Sequence, residues 1–179
     1  MNIAVFCSAS AAIDKECFEH AAAIGKWMAE ERHRLVFGGS DQGLMREIFD
    51  SIHAHGGKCM GVLPEKFEKG GKCIPGMDVV VNTADLPERK EIMLDNAEAA
   101  IILPGGIGTL DELFTTLAQV GLRYRDTKVI IYNLNGYWDS LLALIEDLHR
   151  KGALHQEPSD LFTVVTTFED LKKSLAPEK

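Results

Sequence analysis

The sequence predicts a single α/β domain over residues 1–179, in which helices cover both faces of a doubly wound parallel β-sheet to give three layers. Short apolar runs of strand length recur along the chain, and longer stretches with helical periodicity separate them. The length of 179 residues and the hydrophobic content of 46% fit one domain with its own core.

The strand candidates are apolar at consecutive rather than alternating positions. This pattern is typical of strands that are covered on both faces, as in parallel sheets. Seven runs satisfy it, at residues 3–7, 34–37, 59–63, 79–81, 99–103, 129–132 and 162–165. The sequence therefore predicts a parallel sheet.

The helix candidates lie between these runs, and the clearest covers residues 110–121, where apolar side chains recur at a helical spacing. Four others are predicted at residues 14–32, 44–55, 87–98 and 138–151. Glycines follow the second and the last of these, as is common where helices end. Residues 64–75, with glycines and lysines, are predicted to form a loop, and residues 176–179 a frayed tail.

Composition excludes several classes of partner. The chain has 19 Lys and Arg against 27 Asp and Glu, a net charge of −8, which disfavours nucleic acid and anionic membranes. Neither the cysteines nor the histidines have metal-ligand spacing, so no metal is expected, and Cys7, Cys17, Cys59 and Cys73 are predicted to be free buried thiols. With no signal-peptide pattern at the N-terminus, we expect a cytoplasmic protein.

Two predicted strand ends lead into glycine-rich junctions, at residues 38–43 and 104–109. In doubly wound sheets the ligand crevice lies past the carboxyl ends of the strands. The second junction is the better phosphate site, because its glycines allow close backbone approach and a helix N-terminus follows. A plain tight turn is the alternative. Neither junction has the ending of a P-loop, and the glycines are misplaced for a dinucleotide fingerprint.

Two groups of charged residues are further candidates for a ligand site. Glu112, with Thr109, fits a helix capping box, but a carboxylate one turn into this helix would also face the sugar of a bound nucleotide. Arg89 and Lys90 follow Pro87 in the first turn of a predicted helix, where the helix dipole disfavours cations. They either form a solvated pair stabilised by neighbouring glutamates or contact an anionic ligand.

Three segments together resemble the LONELY GUY (LOG) family of cytokinin riboside 5′-monophosphate phosphoribohydrolases, many of which were once called lysine decarboxylases. They are FGGSDQGLM at residues 37–45, ERK at 88–90 and PGGIGTLDE at 104–112. The PGGxGTxxE motif with an upstream Arg-Lys pair is specific, and the resemblance covers nearly the whole chain.

The resemblance implies a Rossmann-like homodimer that hydrolyses the N-glycosidic bond of a nucleoside 5′-monophosphate, without a metal or redox cofactor. By position, Arg89 and Glu112 match the catalytic pair. The substrate-binding positions that we expect are Ser8, Gly39, Lys90, Gly105, Gly106, Gly108 and Thr109.

The sequence departs from the usual pattern of the family at several positions. Ser8 and Ser40 stand where the family commonly has glycine, and Arg46 stands where it has a small residue. Pro87 stands where histidine is common, and Ala118 where threonine is common. The phosphate turn and the Arg89/Glu112 pair are intact, so the departures bear on base specificity, which stays open between adenine and an N6-modified adenine.

Three other functions compete with the nucleosidase. A binding protein similar to the molybdenum-cofactor carriers would keep the glycine turn without catalysis. A pyridoxal phosphate decarboxylase would need a Schiff-base lysine on a larger scaffold, which nothing in this sequence marks. A phosphoribosyltransferase would carry paired acidic residues before its phosphate loop, and these are lacking. The pairing of Arg89 with Glu112 favours the enzyme.

Overall fold

The structure is a computed structural model that describes residues 1–66 and 74–176. Most of the loop predicted at residues 64–75, the fourth cysteine at position 73, and most of the tail predicted to fray at residues 176–179 lie outside the described residues.

Seven parallel strands form one sheet in the order β4-β3-β2-β1-β5-β6-β7. Their bounds are β1 Asn2–Phe6, β2 Arg34–Phe37, β3 Lys58–Pro64, β4 Val79–Thr83, β5 Ala99–Ile102, β6 Lys128–Tyr132 and β7 Thr163–Val165. Strand β1 lies at the centre and pairs with both β2 and β5, with Ile3 in register with Leu35 and with Ala99. All seven predicted strands and the parallel sheet are confirmed.

The helices lie between the strands along the chain. Their bounds are α1 Lys15–Glu30, α2 Gly43–Ala54, α3 Leu86–Asp95, α4 Ile107–Gly121, α5 Asp139–Arg150, α6 Pro158–Leu161 and α7 Phe168–Ser174. Asp14 and Asp85 cap α1 and α3 by accepting backbone N–H groups of the first turn. The five predicted helices are confirmed, and α6 and α7 are additional.

Alternate residues of each central strand face opposite layers of the core. In β1, Ile3 and Val5 pack with the layer that contains α1, α2 and α7. Ala4 and Phe6 pack with the layer that contains α3, α4, α5 and α6. Burial on both faces explains why these strands are continuously apolar in the sequence. The fold is therefore the three-layer, doubly wound α/β fold that the sequence predicts, and among the described residues no helix has the length and hydropathy of a membrane span.

The direction in which the chain winds reverses between β1 and β5. From β1 the chain proceeds outward through β2, β3 and β4, then returns to the other side of β1 for β5, β6 and β7. In doubly wound sheets a ligand crevice is expected outside the carboxyl ends of the strands at such a reversal, here beside the loops that leave β1 and β5. Both glycine-rich junctions of the sequence lie at this end of the sheet.

Candidate active site at the reversal of the sheet

Backbone hydrogen bonds join the loops that follow β1 and β5. The Ser8 N–H donates to the carbonyl of Pro104 at 3.1 Å, and the Leu44 N–H donates to the carbonyl of Ser8 at 2.9 Å. Ser8 Oγ accepts from the Ser10 N–H at 3.0 Å, so the side chain of this predicted substrate-binding residue stabilises its own loop. The β1 loop thus fixes the start of α2 against the glycine turn after β5.

The charged groups of Arg89 and Glu112 lie next to each other. The Arg89 Nη2 atom lies 3.3 Å from Glu112 Oε1, and Arg89 Nε donates to the carbonyl of Val62 at 3.1 Å. Arg89 is 9% exposed and Glu112 is 4% exposed. A charged pair this deeply buried needs a specific reason, because desolvation of both ions opposes it. The interpretation of Arg89 as part of a solvated pair is wrong.

Helix geometry explains this burial. Because α3 begins at Leu86, Arg89 is one turn inside the helix and shares its inward face with the buried Met93. The neighbouring glutamates have other partners: Glu88 accepts from the Ala84 N–H at 2.7 Å, and Glu91 pairs with Arg125 at 2.8 Å.

Gly38, at the end of β2, makes room for the guanidinium. A Cβ atom on residue 38 would lie 1.8 Å from Arg89 Nη2 and 3.2 Å from Met45 Sδ. Any side chain would therefore displace Arg89 from Glu112. Gly39, a predicted substrate-binding residue, is buried beside it with φ +67°, and its carbonyl accepts from the Ile74 N–H at 3.2 Å.

Burial dominates the electrostatics of the pair. It raises the pKa of Glu112 from 4.5 to about 7, although the nearby Arg89 guanidinium acts in the opposite direction. Burial, reinforced by the Glu112 carboxylate, also raises the pKa of the Cys7 thiol at the end of β1. Glu112 therefore changes its charge near neutral pH, whereas Cys7 remains an uncharged thiol.

The glycine turn leads directly into α4. The helix has Gly106 as its N-cap, without a side-chain hydrogen bond to the cap. A Cβ atom on Gly105 would lie 2.1 Å from Thr109 Oγ1, so the threonine occupies the space that a side chain would need. At Gly106 and Gly108 a Cβ atom would meet no heavy atom within 4 Å, so this side of the turn is open to a ligand.

The capping-box interpretation of Thr109 and Glu112 is wrong. The helix begins at Ile107, so Thr109 already lies inside the first turn and Gly106 takes the cap position. Glu112 points inward to Arg89 instead of folding back onto the helix start.

Lys90, predicted to contact the ligand, donates through Nζ to Asp111 Oδ1 at 2.7 Å and to Thr115 Oγ1 at 3.0 Å, two residues of α4.

Arg46 does not point an unpaired charge at the site. Its guanidinium pairs with Asp41 and, at 2.7 Å, with Asp50, and these two ion pairs join the loop after β2 to α2.

Tyr137, which the sequence did not single out, contributes a hydroxyl to the glycine turn: it donates to the Gly105 carbonyl at 2.8 Å. No three His, Cys, Asp or Glu side chains cluster as a metal site requires, within residues 1–66 and 74–176.

The fold and this site define a class of parallel α/β proteins in which a buried arginine–glutamate pair faces a glycine turn at a helix N-terminus. A family model described as "Possible lysine decarboxylase" matches residues 45–175. The chain belongs to this family, the LONELY GUY (LOG) family.

Curated relatives cover nearly the whole chain. A protein of Mycobacterium marinum named cytokinin riboside 5′-monophosphate phosphoribohydrolase is 33% identical over 98% of this chain and 94% of its own length. A protein of the same name from Mycobacterium tuberculosis is 32% identical over 98% of this chain and 94% of its own length. A cytokinin riboside 5′-monophosphate phosphoribohydrolase of Arabidopsis thaliana is 30% identical over 99% of this chain and 78% of its own length.

Solved structures share the fold. The molybdenum cofactor carrier protein of Chlamydomonas reinhardtii superposes with a TM-score of 0.73 at 19% identity, covering 98% of both chains. The molybdenum cofactor binding protein of Rippkaea orientalis gives a TM-score of 0.70 at 18% identity, over 97% of this chain and 96% of that one. At these identities the likeness concerns the fold alone and does not favour a carrier function.

Proposed function

We propose that this protein hydrolyses the N-glycosidic bond of a purine riboside 5′-monophosphate, adenosine monophosphate or an N6-modified relative, to free base and ribose 5-phosphate. The names of its curated relatives support this reaction. The observation that carries the proposal is the buried Arg89/Glu112 pair next to an open glycine turn. A protein that only binds phosphate has no evident use for this pair.

The phosphate group binds at the glycine turn. The open side of Gly106 and Gly108 admits phosphate oxygens close to the backbone, and the first N–H groups of α4 have no partner within the helix. Thr109 packs under Gly105 and supports the turn. A phosphate held there fixes the sugar relative to Glu112, which lies one turn further along the same helix.

Glu112 then acts on the sugar. As the bond from C1′ to the base nitrogen breaks, the bond electrons leave with the base, and C1′ and the ring oxygen share a positive charge. The Glu112 carboxylate stabilises that charge and orients the attacking water, whose oxygen bonds to C1′. One proton of the water is transferred to the departing base, and the other stays on the oxygen as the new C1′ hydroxyl. Because the carboxylate is buried, its attraction to the developing charge is poorly screened.

Arg89 holds both the carboxylate and the nucleotide. Its Nη2 faces Glu112, and its Nε is fixed by the carbonyl of Val62, so the guanidinium has one preferred orientation. Within residues 1–66 and 74–176 the other N–H groups of the guanidinium have no further partner, and we propose that they donate to the substrate. We propose Lys90, Ser8 and Gly39 as further substrate-binding positions, since all three lie on the elements that surround the pair.

A homodimer is the expected assembly, and α4 offers the surface for it. Phe114 is 40% exposed and Leu122 is 68% exposed on its outward side. Leu144 and Leu148 of α5 are also exposed, and between the two helices lies an apolar groove of about 350 Å³. An apolar surface of this kind marks a protein interface. A second copy of the chain, burying the same face, would cover it.

We also propose a cytoplasmic location. Cys7, Cys17 and Cys59 are free and buried, which fits a compartment where thiols stay reduced.

Release of free base tests the proposed function. The protein is incubated with adenosine monophosphate and, separately, with isopentenyladenosine monophosphate, and the products are separated by chromatography. We expect equimolar base and ribose 5-phosphate from the parental protein and none from Glu112→Ala. The two initial rates rank the substrates. Absence of base from both substrates, with nucleotide still raising the melting temperature, would replace the enzyme by a binding protein.

A further inference from the structure

Tyr137 reaches the phosphate turn from a different part of the chain. It lies in the loop between β6 and α5, and its hydroxyl donates to the carbonyl of Gly105 at 2.8 Å. The residue is 44% exposed, so its ring lies at the protein surface. Through this bond the β6 loop contacts the β5 turn at one defined atom.

The loop that carries Tyr137 is itself held in one conformation. Asn133 Oδ1 accepts from the Trp138 N–H at 2.7 Å, and Asn133 Nδ2 donates to Asp139 Oδ1 at 2.8 Å. The rings of Tyr137 and the buried Trp138 pack edge to face with centroids 4.9 Å apart. The position of the hydroxyl is therefore set by the core.

The hydrogen bond from Tyr137 to the Gly105 carbonyl also fixes the direction of the next backbone N–H, that of Gly106. The peptide between Gly105 and Gly106 is trans and planar, so the carbonyl oxygen and the following N–H point in opposite directions. With the oxygen turned toward Tyr137, the Gly106 N–H points away from it. In the part of the chain that the structure describes, this N–H donates to no other group, and the space beside Gly106 is open.

We propose that Tyr137 is a positioning residue, which locks the Gly105–Gly106 peptide so that the Gly106 N–H is presented to the substrate phosphate. This inference rests on the proposed function, because it assigns the phosphate to that turn. A turn with three glycines in four positions can rotate its peptides at little cost. Tyr137 removes that freedom before the ligand arrives, and preorganisation of this kind increases affinity.

Tyr137→Phe removes the hydroxyl and keeps the ring. Because one neutral hydrogen bond contributes about 0.5–1.5 kcal/mol, we expect ribose 5-phosphate to bind roughly 2- to 12-fold more weakly by calorimetry. The KM for adenosine monophosphate should rise by a similar factor while kcat changes less than twofold. Adenine, which has no phosphate, should bind the parental protein and the variant equally.

Tyr132→Phe is the matched control. It also removes a tyrosine hydroxyl from a hydrogen bond, that to His20 Nδ1 at 2.6 Å, but away from the turn. Its affinity for ribose 5-phosphate should equal that of the parental protein, which separates a local effect from general loosening. Melting temperatures of both variants report any loss of stability.

The outcomes separate this inference from the proposed function. If the parental protein releases base and binds ribose 5-phosphate, and Tyr137→Phe binds it equally well, the positioning role is wrong and the enzyme stands. Equal weakening for adenine and ribose 5-phosphate would also overturn it, because the effect would then not act through phosphate. If the parental protein neither binds ribose 5-phosphate nor releases base, both proposals fall.

Discussion

At the scale of single residues, Glu112 is placed where its charge lowers stability. Burial raises its pKa from 4.5 to about 7 despite the adjacent Arg89. A carboxyl group with a raised pKa in the folded state binds its proton more tightly there than in the unfolded chain. The free energy of unfolding therefore falls as the pH rises from about 4.5 to 7, and it stays low above that range.

Glu112→Gln should remove this dependence, because the amide resembles the protonated acid. At pH 8 we expect the variant to be more stable than the parental protein by up to about 3 kcal/mol, and at pH 4.5 we expect no difference. Urea unfolding at the two pH values measures both quantities. Glu19→Gln, on the exposed side of α1, serves as control and should match the parental protein at each pH. If Glu112→Gln had the same stability as the parental protein at pH 8 as well as at pH 4.5, Glu112 would not be desolvated.

Residue roles were only partly predictable from the sequence. The motif identified Arg89, Glu112 and the glycines, and the structure brings them to one crevice. Spacing alone could not distinguish a cap from a buried carboxylate, because Thr109 and Glu112 have the same separation whether the helix starts at residue 107 or at residue 110. The close contact of Gly38 with Arg89 joins distant parts of the chain, and no local pattern reveals it.

At the scale of elements, hydrophobic periodicity located the strands and the long helices, because each presents a continuous buried run or face. It did not locate α6 and α7, since four and seven residues are too few to establish a helical period. One signal for α7 was present: Thr167 lies three residues before Asp170, and its hydroxyl accepts the Asp170 N–H at 3.1 Å. A polar N-cap of this kind marks a helix start even where periodicity is short.

The apolar side of helix α4 extends beyond the core, and its exposed part predicts association. Leu113 and Leu117 are buried, whereas the neighbouring Phe114 is exposed and lines the groove between α4 and α5. Phe114→Glu should weaken the proposed homodimer by at least about tenfold, because it removes apolar area and places a charge in the interface. Light scattering over a dilution series measures the change in mass.

The matched control for Phe114→Glu is Val80→Glu on the edge strand β4. Val80 is also an exposed apolar residue, but it lies away from α4, so the parental mass should be retained. A parental protein that is monomeric at every concentration, or a Phe114→Glu variant that dimerises normally, would be incompatible with an interface on α4.

At the scale of the whole molecule, the site exists only because the sheet reverses its winding at β1 and β5. That reversal places the end of β1, the glycine turn after β5, and the inward faces of α3 and α4 around one crevice. Arg89 belongs to α3 and Glu112 to α4, yet their charged groups lie 3.3 Å apart. Neither helix could bury its charge alone, so the pair depends on the complete fold.

The most direct test of this account compares binding with cleavage in one variant. Glu112→Gln keeps the shape of the side chain and removes its charge, so adenosine monophosphate should still bind at the glycine turn. Calorimetry and chromatography are run on the same sample. The account predicts nucleotide binding within about tenfold of the parental affinity and no detectable adenine. Release of adenine at the parental rate would contradict the role of Glu112, and with it the proposed reaction at this site.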